Sequence, residues 1–359
     1  MFFLQRKRFP RVPAADGIAD SGIRQVNFKE MSMQSFGFIF SIFSLVLLLI
    51  FAESTRAQDW PKQQVRIVVP YPAGGGADLT VRKLADKLAE NWKQPVVIDN
   101  KPSAGEIVAT TEVIRAKPDG YTLLFATETQ QMNPFLYLKL PYDPMTDLAP
   151  ITRLTEGIHV FVVRKESPFQ TIQQLVVAAK AQPGKVSYGS GGVGGSAHLA
   201  IQSFATAAGN VQFMHVPYKG SAPRMVDLLA GNIDFTATSL GGVLPFLKDG
   251  RLRSLATNGT SRMRALPDVP TLAEAGYKDA VVPFSFSLYG PAKLPPALAS
   301  QIARDVSAVL KDPDFVAKNL DPQGLVGVLD DTPAAFARFL AADRAKVRDR
   351  LKAAKVQPN

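Results

Sequence analysis

Residues 65–92, VRIVVPYPAGGGADLTVRKLADKLAENW, decide the architecture. Val65-Arg66-Ile67-Val68-Val69 is an apolar, β-branched run of strand length. It stops at Pro70 and Pro72, passes through Gly74-Gly75-Gly76 and meets Asp78 where a helical period opens. Val81, Leu84, Ala85, Leu88 and Trp92 then fall on one face. A strand, a glycine turn and a helix N-terminus present unpaired backbone N–H groups at the positive end of a helix dipole. Such a unit receives a small anion. Asp78 reads first as a helix cap and second as a group that orders water or a ligand amine. Arg82, one turn on, reads as its partner or as added positive potential.

Strand and helix keep alternating outward from this unit. A strand at 96–99, a small-residue helix at about 105–116, the turn Lys117-Pro118-Asp119-Gly120 and a strand at 121–126 complete a βαβαβ run. That pattern predicts an α/β fold with a parallel sheet covered by helices. The proline-rich stretch 133–150 reads as a packed connection. A second series begins after 159–163, with helices at 172–181, about 198–208, about 221–230 and near 242–249. Its strands fall at 185–188, 211–216, 233–236 and 252–257. A strand at 283–291 carries the chain back to helices at about 297–310 and 333–353. The expectation is two lobes, residues 58–163 with 284–359 and residues 164–283, with a ligand cleft between them.

The second series holds its own glycine loop, Gly189-Ser190-Gly191-Gly192-Val193-Gly194-Gly195-Ser196, between a strand and a helix. Gly189, Gly191 and Gly194 satisfy GxGxxG, but a dinucleotide site wants an acid about 20 residues on. The next acid is Asp227, which is too far, and no GxxxxGK[ST] occurs. Two such loops could grip one carboxylate from both sides through neutral N–H groups; an ordinary tight turn is the plainer reading of each alone. Candidate ligand contacts are Tyr71, Ala73, Gly74, Gly75, Gly76 and Asp78 at the first loop. At the second they are Ser190, Gly194, Gly195, Ser196 and His198. Thr127 and Gln130 follow one strand end, and Thr238 and Ser239 another. Phe284 and Phe286, with Tyr71, read as an apolar wall or as core.

The chain has 359 residues, 46% of them hydrophobic, enough to bury two cores. Its net charge is +10, and residues 1–57 hold seven of the Lys/Arg and four of the acids. No basic run with interleaved aromatics lies beyond them, which argues against a nucleic-acid groove. The apolar stretch 36–52 followed by Thr55-Arg56-Ala57 predicts a signal peptide cleaved near Ala57. An uncleaved anchor is the other reading, though a span needs about 20 apolar residues. Met31 and Met33 are alternative starts. There is no cysteine, which excludes disulfides and suits a periplasm. His159, His198 and His215 lack metal spacing, so no metal and no cofactor are expected. GxSxG is absent and no catalytic constellation stands out, so the chain is not read as an enzyme.

Several segments carry a resemblance. PYPAGGGADLTVRKLADKL, DNKPSAG, AKPDGYTLLFAT, NPFLYLKLPYDP, AQPGKVSYGSGGVGGSAHLA, VPYKGSAPRMVDLLAGNID and LPDVPTLAEAGY resemble, in order, the Bug/TctC family of tripartite tricarboxylate transporter receptors. The resemblance runs from about Trp60 to the C-terminus. It implies a two-lobed, type II periplasmic-binding-protein (Venus-flytrap) fold, with a carboxylate held by Ala73–Asp78 and Ser190–Ser196 through backbone amides and waters. It also implies a di- or tricarboxylate, acidic amino acid or aromatic acid as ligand, delivered to a membrane permease without chemistry; a monomer is the simplest reading of the chain itself. Two departures stand out. The family's RPGAGG stretch reads Lys101-Pro102-Ser103-Ala104-Gly105-Glu106, and the tryptophan before the late segment is missing from PFSFSLYGPAKLP. A nucleotide-cofactor enzyme and a partner-binding sensory module are the alternative functions.

Overall fold

The run at 65–69 forms β1 (Val65–Val69), four of whose five residues are buried, as a parallel strand covered by helices requires. The computed structural model describes residues 60–278, 280–329, 332–353 and 356. The expected leader and cleavage site at 1–57 lie outside the described residues. α1 (Gly76–Trp92) buries Val81, Leu84, Ala85 and Leu88 on one stripe. Val81, Leu84 and Leu88 pack in one core with Ile302 and Val306 of a later helix. β2 (Val96–Asn100), α2 (Ile107–Ile114) and β3 (Thr122–Thr127) follow, and β1 pairs in parallel with both β2 and β3.

Next comes α3 (Thr129–Leu136), a helix that runs into the stretch expected to be irregular; Pro134 within it hides its period. β4 (Leu148–Gly157) is a further element that the sequence reading lacks. β5 (Val160–Arg164) opens the second lobe, followed by α4 (Ile172–Ala181), β6 (Ser187–Ser190) and α5 (Ser196–Ala207). β7 (Met214–Pro217), α6 (Ser221–Ala230), β8 (Phe235–Thr238), α7 (Leu244–Lys248) and β9 (Leu252–Thr257) complete it. The chain returns through β10 (Phe284–Pro291), α8 (Pro296–Lys311), β11 (Leu325–Gly327) and α9 (Pro333–Ala353). One sheet runs β11-β4-β10-β3-β1-β2 and the other β7-β6-β8-β5-β9.

Two boundaries differ from the sequence reading. β5 hydrogen-bonds to β8 and β9, so 160–163 belongs to the second sheet, and the chain crosses at Ile158-His159. The return crossing is tied to it at Asn258. His159 N–H donates to Asn258 Oδ1 (2.7 Å), and Asn258 Nδ2 donates to the Val282 carbonyl (2.8 Å). The C-terminal helix is shared between lobes. Phe336 and Leu340 pack with Tyr289 of the first sheet, whereas Val347 and Leu351 join the second-lobe core around Tyr188 and Phe204. No helix among the described residues is long and apolar enough to cross a membrane.

Candidate functional site: a cavity between two glycine loops

The N-termini of α1, α5 and α6 open on one cavity of about 100 Å³, where Gly76, Ala77, Ser196, Ala197 and Ser221 form part of its wall. One water needs about 10–15 Å³ on that scale, so the space suits a small molecule of several heavy atoms and not a nucleotide. First-turn N–H groups have no intrahelical acceptor, and three of these termini add their dipoles in one place. The lobes approach closely here: a Cβ on Gly76 would lie 2.5 Å from Ser239 Oγ, and one on Gly75 would lie 2.6 Å from Ser221 Oγ.

Each loop is latched in the same way. Gly74 N–H donates to Asp78 Oδ2 (2.9 Å), and Gly194 N–H donates to His198 Nδ1 (2.8 Å). In both, the third helical residue reaches back four positions. Asp78 is buried and also accepts from Arg82 Nε (2.9 Å) and Asn100 Nδ2 (2.8 Å). Burial raises its pKa, but bonds from Arg82, the Gly74 amide and Asn100 outweigh that and hold it below the usual value. His198 is pushed down to about 3 by burial and by neighbouring His215, so it accepts as a neutral ring. Ser190 Oγ contacts His215 Nε2 (2.6 Å) and the Gly192 backbone, organising the second loop from below.

The cavity's charge comes from residues outside both loops. Arg224, on α6, is 3% exposed, and its Nη2 donates to Thr238 Oγ1 (3.0 Å). Its Nε has no partner, and no carboxylate pairs with it among the described residues. Burial lowers its pKa only to about 10, so it stays cationic at neutral pH. Gly189 makes room for it, since a Cβ there would lie 2.7 Å from Arg224 Cγ. His159 faces the same cavity and is pushed to about 3 by burial, so it is neutral.

Glu106 stands in the first-lobe part of the wall, 2% exposed. It accepts from Thr127 Oγ1 (2.5 Å), Thr127 N–H (3.2 Å), Gln130 Nε2 (2.8 Å) and the Tyr71 hydroxyl. Burial raises its pKa, opposed by bonds from Thr127, Tyr71 and Gln130. Beside it Glu128 is raised to about 7 by burial; Ser285 N–H donates to its Oε2 (2.8 Å), and its Oε1 has no partner.

Of the sequence-predicted residues, Tyr71, Gly76, Thr127, Gly195, Ser196, Thr238 and Ser239 meet at the cavity. Ala73, Gly74, Gly75, Asp78, Gln130, Ser190, Gly194 and His198 do not line it. Asp78 and His198 serve the latches, Gln130 supports Glu106, and Gly194 abuts Leu136. Arg82 spends its charge on Asp78 and Asn100 instead of the cavity. Sequence reasoning missed Arg224 altogether, and it flagged Glu106 only as a departure from a glycine pattern. Of the GxGxxG glycines, Gly189 abuts Arg224, Gly194 abuts Leu136, and Gly191 lines the cavity. Among the described residues no cluster of His, Cys, Asp or Glu fits a metal ion.

Two α/β sheets joined by crossing strands over such a cavity define the two-lobed solute-binding class of proteins. The model for "Tripartite tricarboxylate transporter family receptor" matches residues 80–354, and the chain belongs to that family. It is similar to the protein BugT of Bordetella pertussis, 31% identical over 292 residues, 81% of this chain and 89% of that one. Its fold is similar to the periplasmic binding protein BugD, with a TM-score of 0.79, 29% identity and coverage of 84% and 100% of the two chains. It is also similar to R. palustris Rpa4515 with adipate, with a TM-score of 0.80, 30% identity and coverage of 84% and 100%.

Proposed function

We propose that this chain is a periplasmic receptor that captures a small carboxylate between its lobes and presents it, as a monomer, to a membrane permease of the tripartite type. The observation that carries the reading is Arg224, a buried cation with an unpartnered Nε and no acidic partner among the described residues, lining one cavity with the first turns of α1, α5 and its own helix α6. A buried unpaired charge is costly unless an anion completes it. The adipate in a relative of similar fold supports a carboxylate as that anion. Binding without chemistry is the reading for the wall, in which His159 is a neutral ring 3.3 Å from the Val282 carbonyl. Export by the leader at 1–57 completes the reading.

A ligand that binds only the folded state raises its melting temperature by mass action. Purified protein should therefore gain several degrees with at least one small carboxylate in a broad panel. Silence across the panel would sink the proposal, and a shift with nucleotides alone would favour the enzyme alternative.

A further inference from the structure

We infer that Glu106 makes the cavity selective for a monocarboxylic acid whose far end donates hydrogen bonds, an ammonium above all, and rejects an acid with a second carboxylate there. The inference rests on the carboxylate-receptor reading and narrows it. Arg224 stands in the second-lobe wall and Glu106 in the first-lobe wall of the same small space, so the two lobes bring opposite charges to it.

Glu106 occupies a costly position. Its backbone is left-handed (φ 62°), a conformation strained for a residue with a side chain, and its carboxylate is desolvated. The Thr127 N–H and the Gln130 amide can only donate to it, and the Tyr71 and Thr127 hydroxyls lie within donating reach of Oε1, so these donors oppose the burial that raises its pKa. Oε1 takes most of these bonds, whereas Oε2 has one good donor, Gln130, and one long contact of 3.4 Å from Thr127 N–H. That leaves Oε2 acceptor capacity for a ligand. Glu128, itself outside the wall, places a second buried acid behind the cavity-lining Thr127 and Thr129. A ligand carboxylate pressed against this wall would meet like charge away from water, while an ammonium or hydroxyl would find acceptors.

Length-matched acids isolate the effect: succinate against γ-aminobutyrate, and adipate against ε-aminocaproate, titrated calorimetrically into the full protein. The amino acid of at least one pair should bind at least tenfold tighter than its dicarboxylate. Glu106→Gln should shrink that ratio at least fivefold while circular dichroism stays unchanged. Glu106→Gly, which suits the left-handed backbone, should shrink it too if the first variant folds poorly. Dicarboxylates that bind as tightly as their partners, or a ratio that neither variant moves, would overturn the selectivity and leave the receptor reading standing. Binding by no acid of any kind would overturn both.

Discussion

The two glycine loops share a backbone plan and differ in what stabilises it. In the first lobe the reaching residue is the anion Asp78, braced by Arg82 and Asn100; in the second it is His198, a neutral ring stacked on His215 at 4.2 Å. The charges on the cavity wall also differ. The lobe with the anionic latch carries Glu106 at the cavity, and the lobe with the neutral latch carries Arg224. A helix N-terminus is thus a general platform, and the charge set beside it from another element gives each jaw its chemistry.

The largest expected effect separates Arg224 from everything else. Arg224→Met should weaken carboxylate binding about a hundredfold or more, on the order of 3 kcal/mol, as when one partner of a buried charge pair is removed. The same variant should melt higher than the native protein without ligand, because it removes an uncompensated buried charge. Calorimetric titration and a melting curve read the two halves. A variant that bound normally would place the anion elsewhere.

The loops themselves should respond unequally. Gly194 has φ +74°, and a Cβ there would collide with the Leu136 side chain, whereas Gly74 has φ +83° and open space around it. Gly194→Ala should therefore cost about 2–4 kcal/mol of stability in urea unfolding, from strain plus overpacking. Gly74→Ala should cost only about 1 kcal/mol, from strain alone. Equal losses would mean that Leu136 yields easily.

Asp78→Ala tests whether the first latch is structural. It strips the Gly74 amide, Arg82 and Asn100 of an acceptor, so a loss of about 2 kcal/mol of stability is expected. The affinity of the folded protein should change less than about threefold, since Asp78 does not line the cavity. A larger loss of affinity would return Asp78 to the ligand.

The smallest effect per group is in pH. His159, His198 and His215 sit at about 3, 3 and 4 against an ordinary 6.5, each lowered chiefly by burial. They are neutral when folded and take up protons when unfolded, so stability present above pH 6.5 is lost as pH falls below it. Each should withdraw on the order of 1–2 kcal/mol between about pH 6.5 and 5. Glu128, raised to about 7 from 4.5, acts in the opposite direction and stabilises the fold as pH drops through that interval. Three histidines outweigh one glutamate, so urea midpoints should fall from about pH 7 to about pH 5. A flat profile would place these rings in water.

Much of the scaffold is legible in the sequence because its signals are local. The β-branched run at 65–69, the stripe through Val81, Leu84 and Leu88, and the strand at 252–257 coincide with β1, α1 and β9. The strands expected at 185–188 and 233–236 lie two residues further toward their loops, which sets Ser190 and Thr238 at strand ends. Helix α3 stays hidden because Pro134 masks its period. The site is less legible because burial of a charge is a tertiary property. Arg224 sits on a helix whose sequence reads as ordinary amphipathic surface, and only the bare Gly189 beneath it marks the space it fills. Glu106 is visible as an acid in a glycine turn, but its direction depends on Tyr71, Thr127 and Gln130 converging from other segments.

Crystallography of the protein with the carboxylate that stabilises it most would test the central claim most directly. The carboxylate oxygens should lie within about 3 Å of the Arg224 guanidinium and of N–H groups at the starts of α1 and α5, the range of charge-assisted hydrogen bonds. A carboxylate bound outside this cavity, or bound within it with Arg224 still touching only Thr238, would contradict the account.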